Sequence, residues 1–362
     1  MRKSLVLLGL AAIAMLAVGF WLMQRPAAGR AVTLFHWVDY TDPVFFTDYR
    51  KATGETPQTA IFASEDEAFA KMRSGYKPDV MAPCYYEFPR WKEAGLLKPI
   101  DTARLKNWNK ISATLRNLPG VDAGNGRVWF VPQYWGNTSV TIRTDLAPEY
   151  AQSQNWDILF DPKYKGRVAV LDGVDDVIPL IARTIGIDAY NMSDAEWERV
   201  QARLRQLLPQ LRMVSSDETS LSQGLASGEL VAAMSWRSNI FANLNKEGRK
   251  VAFLEPKGGV FTYVCGLTMH AGANEEKARA LIDSFLSDEA ARHTIEVVGD
   301  EPSNEVALKQ VPDAVFQNLH LSRDVESFLK SGIFQRRLKD KEKLVNAWTE
   351  MRAGIAAAPG KP

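Results

Sequence analysis

Short apolar runs alternate with helix-patterned stretches along most of this chain. That rhythm limits the folds open to it. Residues 33–37 read as a buried strand, followed by a helix over about 42–52 that stops at Gly54. Residues 61–63 form the next strand. Ser64 and Glu67 then have capping-box spacing and open a helix through Met72. A short strand over 79–81 and a helix over 86–94, closed by Gly95, repeat the unit. Such a βαβα succession predicts parallel strands with helices on both faces.

Further along, 128–133, 139–143, 168–171, 230–236 and 263–269 read as strands. Helices are expected over 175–184, from the Ser193/Glu196 cap to about 211, over 275–287 and 289–297, and across much of 324–353. The elements fit a two-lobed α/β protein. Ligands in open α/β sheets sit beyond the carboxyl ends of the strands.

The N-terminus carries a different signal. Arg2 and Lys3 precede an uncharged run over 5–23. As a helix those residues span about 28 Å, longer than an ordinary signal-peptide core. Cleavage signals after the run are weak. We read 1–30 as a signal peptide or membrane anchor, with cleavage near 29–31 expected and an uncleaved single span as the alternative. Both place the remaining chain outside the cytoplasm. The whole chain has 44 Lys+Arg against 43 Asp+Glu, which argues against a nucleic-acid binder working through a basic field. Loss of the leader removes Arg2, Lys3 and Arg25 and no acid, leaving a slightly acidic protein.

Aromatic and acidic residues recur just after the strands. They include Trp37, Asp39 and Tyr40 after the first, Tyr86 after the third, Asp176 after 168–171, and Trp236 with Arg237 after 230–236. Rings attract cations through their faces, and carboxylates pair the charge, so the set suits an amine. The bland reading is that such rings are simply core residues.

At these positions the chain resembles the periplasmic spermidine/putrescine-binding proteins of ABC transporters, over about 32–354. The stretch Trp37-Val38-Asp39-Tyr40 is similar to that family's first ligand loop, Trp-Thr-Glu-Tyr. Residues 157–166 are similar to its "DLW-PEYKG" segment, and 256–259 to its "PKEGG" turn. The resemblance implies a two-lobed periplasmic binding protein fold, with interleaved lobes and crossing hinge strands. The first lobe would take 31–138 plus 265–304, and the second 139–264 plus 305–356. Hinge positions are expected at Gly136 and Met269. The implied ligand residues are Trp37, Asp39, Tyr40, Tyr86, Asp176, Trp236, Tyr263 and Gln335.

Departures from the family pattern are as informative. Two of its site acids fall on Gly173 and Cys265, a serine on Cys84, and a tyrosine on Asp300. Arg237 stands where the family has an uncharged residue, and a guanidinium can hold a carboxylate in a two-pronged geometry. That would suit an ω-amino acid such as 4-aminobutyrate. The alternative for Arg237 is a salt bridge or a solvent-facing charge. Because both replaced residues contact the same ligand in the family, a disulfide between Cys84 and Cys265 is expected at the cleft floor. Two buried free thiols are the alternative.

No P-loop, GxSxG, HExxH or GxGxxG motif is present, and the four histidines are scattered. Tyr85-Tyr86 lies too early in the chain for the paired-tyrosine iron sites of related folds. Neither enzyme activity, nor a metal, nor a cofactor is expected. The expectation is a monomeric, periplasmic receptor that captures a small amine and hands it to a membrane permease. The alternatives are an ω-amino-acid receptor, a membrane-anchored sensor or scaffold, and a degenerate receptor without a ligand.

Overall fold

The computed structural model describes residues 31–215 and 217–356. The leader or anchor expected over 1–30 lies outside the described residues. Eight strands set the architecture: β1 (Thr33–His36), β2 (Gln58–Ile61), β3 (Val80–Met81), β4 (Val131–Arg143), β5 (Val168–Leu171), β6 (Leu211–Ser215), β7 (Ala232–Trp236) and β8 (Phe261–His270). They form one hydrogen-bonded path in the order β6-β5-β7-β4-β8-β3-β1-β2.

The two wings of this path are parallel: β2-β1-β3 on one side and β6-β5-β7 on the other. Helices Thr47–Thr53 and Glu65–Arg73 cross over between strands of the first wing. Val174–Arg183, Asp194–Leu207 and Glu218–Ser227 do so in the second. Local signals place these helices. Gly54 ends the first in the left-handed conformation (φ 72°), which glycine adopts without a Cβ penalty. The Ser193/Glu196 pair forms a reciprocal capping box.

The centre differs from the wings. β4 and β8 pair antiparallel with each other, and β7 and β3 pair antiparallel against their outer edges. The two strands expected at 128–133 and 139–143 are a single 13-residue strand, β4, buried along all but its last residue. It runs through two hydrophobic cores. Val131, Tyr134 and Trp135 pack with Leu34, Phe35, Met81 and Trp91 in the first core. Val140 and Ile142 pack with Val168, Val170, Ala232 and Met234 in the second. β8 makes the same passage, with Phe261 in the second core and Val264, Leu267 and Met269 in the first.

Gly136 therefore lies where β4 leaves one core for the other. Met269 does not lie at a crossing. It pairs with Val80 and Lys98 and is fully buried inside the first core, so its expected hinge place is corrected. The segment 305–356 also divides between the cores: Leu329 packs in the first, and Leu338, Leu344 and Trp348 in the second.

One expected helix is shorter than its pattern. It stops at Leu207, and Leu211–Ser215 is a strand paired parallel to β5. Pro209 sits in the intervening 3-10 turn, where its missing N–H and its ring stop the α-helical ladder.

Close approach of β4 and β8 depends on Gly266, at an irregularity in their register. A Cβ there would overlap the Val131 carbonyl oxygen and the Phe130 ring. Gly266→Ala is expected to destabilise the fold by about 1–3 kcal/mol, as overpacked core sites do. Urea unfolding reads this as a lower midpoint at unchanged slope; an unchanged midpoint would show that the strands part at no cost.

Candidate ligand-binding cleft

Each wing directs its strand ends toward the β4–β8 crossing, and a cavity of about 980 Å³ opens there. Trp37 and the turn Val38–Tyr40 follow β1 into it. Tyr86 enters from beyond β3, Asp176 from the first turn of the helix after β5, and Trp236 from the end of β7. Tyr263 projects from β8. Gln335 follows a two-residue strand and is tied to β8 by its own N–H, which donates to Thr262 O at 2.8 Å. These residues and Asp39, which stands exposed at the mouth, face one cavity.

Arg237 does not face it. The side chain is fully buried on the far side of Trp236, at the start of the π-helical turn Arg237–Phe241. Its guanidinium donates to Asn137 Oδ1 (3.3 Å), Leu319 O (3.2 Å) and Glu255 Oε1 (2.5 Å), and lies 4.3 Å from the Phe253 ring centroid. Successive side chains of a strand point to opposite faces, so the residue after the cleft Trp236 is turned into the protein. The expected clamp for a ligand carboxylate is replaced by a structural ion pair with Glu255.

The first wall is locked by neutral groups. His36 is buried. Its Nδ1 accepts from the Trp37 N–H at 2.8 Å, and Nε2 lies 2.9 Å from Gln133 Oε1. Burial drives the imidazole pKa down to about 3, against the smaller pull of Gln133, so the ring is uncharged near neutrality. Tyr40 stacks on Tyr134 with centroids 4.3 Å apart, and burial keeps both phenols well above their ordinary pKa. The Tyr40 hydroxyl donates to Asp300 Oδ2 and the Tyr263 hydroxyl to Asp300 Oδ1, each at 2.8 Å.

On the second wall, Asp176 Oδ1 accepts from Thr138 Oγ1 (3.0 Å) and Gln335 Nε2 (2.9 Å). Burial raises its pKa, and hydrogen bonds from Gln335, Thr138 and Trp236 pull it back. Next to it, Asp175 Oδ2 lies 2.7 Å from Lys341 Nζ, which lies equally close to Glu87 Oε1 beside the first core. Burial pushes Asp175 up to about 6 against the pull of Lys341. Burial alone would lower the Lys341 pKa, but Asp175 and Glu87 hold its ammonium above the ordinary range. The Cys84 and Cys265 sulfurs are bonded to each other at the cavity wall, across an antiparallel bridge.

Sequence reasoning did not place Tyr134, Asp217, Glu218 or Asp300 among the ligand residues, yet all four line the cavity. Tyr134 and Asp300 carried a usable signal. The first sits at the end of an apolar run, and the second replaces a site tyrosine of the resembling family. Asp217 and Glu218 open a helix whose preceding strand, β6, was not recognisable from its pattern.

Two of these arrangements have measurable consequences. His36 binds a proton more weakly folded than unfolded, so stability must fall as pH drops below 6.5 toward 3. Between pH 6.5 and 5 the cost is on the order of 2 kcal/mol. His36→Asn, which keeps an acceptor for the Trp37 N–H, should flatten that slope in urea titrations at several pH values; an unchanged slope would assign the acid sensitivity elsewhere. Lys341→Met leaves Glu87 and Asp175 without their shared cation and should cost about 3–5 kcal/mol at pH 7.5. Asp175 takes up a proton at about pH 6 with Lys341 present, and at higher pH once that pull is removed, so the penalty should shrink as pH falls toward 6. A loss independent of pH would rule out charge as its cause.

Residues 46–321 match the family of bacterial extracellular solute-binding proteins. The chain is 25% identical over 305 residues to the spermidine/putrescine-binding periplasmic protein of Escherichia coli K12, covering 83% of this chain and 85% of that one. It is 23% identical over 365 residues to the putrescine-binding periplasmic protein PotF of the same organism, covering 96% and 97%. The solved structure of the spermidine/putrescine ABC transporter substrate-binding protein PotD from Streptococcus pneumoniae superposes with a TM-score of 0.74 at 20% identity, over 90% of this chain and 98% of that one. At that identity the structural likeness is one of fold, and it is the two-lobed fold traced above. With three quarters of its length matched, the chain belongs to the bacterial extracellular solute-binding proteins.

Proposed function

We propose that this protein binds a small amine, a putrescine- or spermidine-like cation, between its lobes in the periplasm and delivers it to an ABC-transporter permease. The observation that carries this reading is the charge of the cavity wall. Asp39, Asp176, Asp217, Glu218 and Asp300 line it, together with Glu67. Lys71 is the one basic side chain among the described lining residues, and it pairs with Glu67 at 2.7 Å. A cation entering this space meets carboxylates for its ammonium groups and the faces of Trp37, Trp236, Tyr86 and Tyr263 for its methylenes. An ω-amino acid would need a free cation for its carboxylate, and Arg237 is withdrawn from that role. The names of the relatives point the same way, as spermidine/putrescine- and putrescine-binding periplasmic proteins.

The protein acts in this reading as a monomer, by binding and lobe closure rather than catalysis. Ligand stabilises the closed form by about 2.7 kcal/mol at a hundredfold excess over Kd. A thermal-shift comparison of putrescine, spermidine and 4-aminobutyrate tests it. Putrescine or spermidine should raise Tm by several degrees, with the shift lost in Asp176→Asn and reduced in Trp37→Ala. A shift from 4-aminobutyrate with none from either amine would overturn the reading.

A further inference from the structure

We propose that Asp300 is a second ammonium-binding carboxylate, which with Asp176 makes the cleft a two-ended reader of a short α,ω-diamine. This rests on the amine reading above and specifies where the two charges go. Asp300 is 7% exposed and lines the cavity. Each of its oxygens accepts from a different tyrosine, Tyr40 and Tyr263. A carboxylate has about four acceptor positions, and the two tyrosine bonds fix its orientation at the cavity. Burial keeps the Tyr40 phenol protonated, so Tyr40 stays a donor to Asp300.

The spacing follows from the strand register. Tyr134, Gly136 and Thr138 share one face of β4, because strand side chains alternate. A Cβ on Gly136 would overlap the Tyr263 hydroxyl, so the Tyr263–Asp300 bond lies over Gly136. Two residues along, Thr138 Oγ1 holds Asp176. The points of the strand beneath these two contacts, Gly136 and Thr138, are thus about 7 Å apart. An extended four-carbon diamine spans about 6 Å between its nitrogens at ordinary bond lengths. The absence of a side chain at Gly136 leaves room for the Tyr263 ring between the two ends, where it offers a face to methylenes. Asp39, by contrast, is exposed at the mouth, where solvent screens a charge pair.

Calorimetry of putrescine and n-butylamine on the wild type and Asp300→Asn tests the assignment. Asp300→Asn should weaken putrescine by about 30-fold, the typical loss for a charged hydrogen bond. The same variant should change n-butylamine by less than about 3-fold, because a monoamine keeps its charge at Asp176. Equal weakening of both ligands by Asp300→Asn would reduce Asp300 to a support for its tyrosines and overturn the proposal. So would a putrescine affinity that survives Asp300→Asn. If Asp300→Asn fails to fold, the wild-type structure with putrescine decides: an ammonium nitrogen within about 3.2 Å of Asp300 supports the assignment, and both nitrogens elsewhere reject it. A wild type that binds no putrescine overturns the amine reading together with this one, whereas intact wild-type binding with a neutral Asp300→Asn overturns this one alone.

Discussion

The antiparallel pairing of β4 with β8 is the interaction on which the rest of the structure depends. Parallel wings need helical crossovers and cover both faces of their sheets, so each wing builds its own core. Two strands that run from one core into the other join the wings by backbone hydrogen bonds from Phe261 opposite Thr138 to Leu267 opposite Val131. Gly266 allows the strands to approach, and Gly136 lets the Tyr263 ring lie across the crossing. Strand ends from both wings then converge on the same few residues, and the cavity is a consequence of that convergence.

Several of the polar groups buried at this junction are held neutral or paired. His36 is held uncharged, and the tyrosines keep their protons. Arg237 spends its donors on buried acceptors and Glu255. Lys341 stands between Glu87 and Asp175, one carboxylate from beside each core, and so ties the two sides of the cleft together just behind Tyr86 and Asp176. Among the described lining residues the acids outnumber the bases, of which Lys71, held by Glu67, is the one present. A wall of this charge suits a cationic ligand.

Much of the site was legible at the strand ends. Trp37, Tyr40, Tyr86, Asp176 and Trp236 follow short apolar runs, and a residue that follows a parallel strand has few places to go except the cleft. Arg237 was misplaced because a one-residue step reverses the face of a strand, and no local signal says where the strand yields to a π-helical turn. Asp300 was seen as a departure but not as a binding group. Its role depends on two hydroxyls that arrive from 260 and 37 residues away in the chain. β6 was hidden because Leu211–Ser215 continues a helical pattern across Pro209.

By itself the sequence determined the alternation of strands and helices, the caps and glycine stops that bound them, and the aromatic and acidic residues at the strand ends. These are local matters, fixed by side-chain periodicity and by hydrogen bonds within a few residues. The tertiary structure alone decided that 131–143 is one strand through two cores, that Met269 is core rather than hinge, that Arg237 is turned away from the ligand space, and that Asp300 enters it. Those outcomes rest on pairings between distant segments, where register, burial and the demand that each buried charge find a partner choose among arrangements that the local pattern leaves equal.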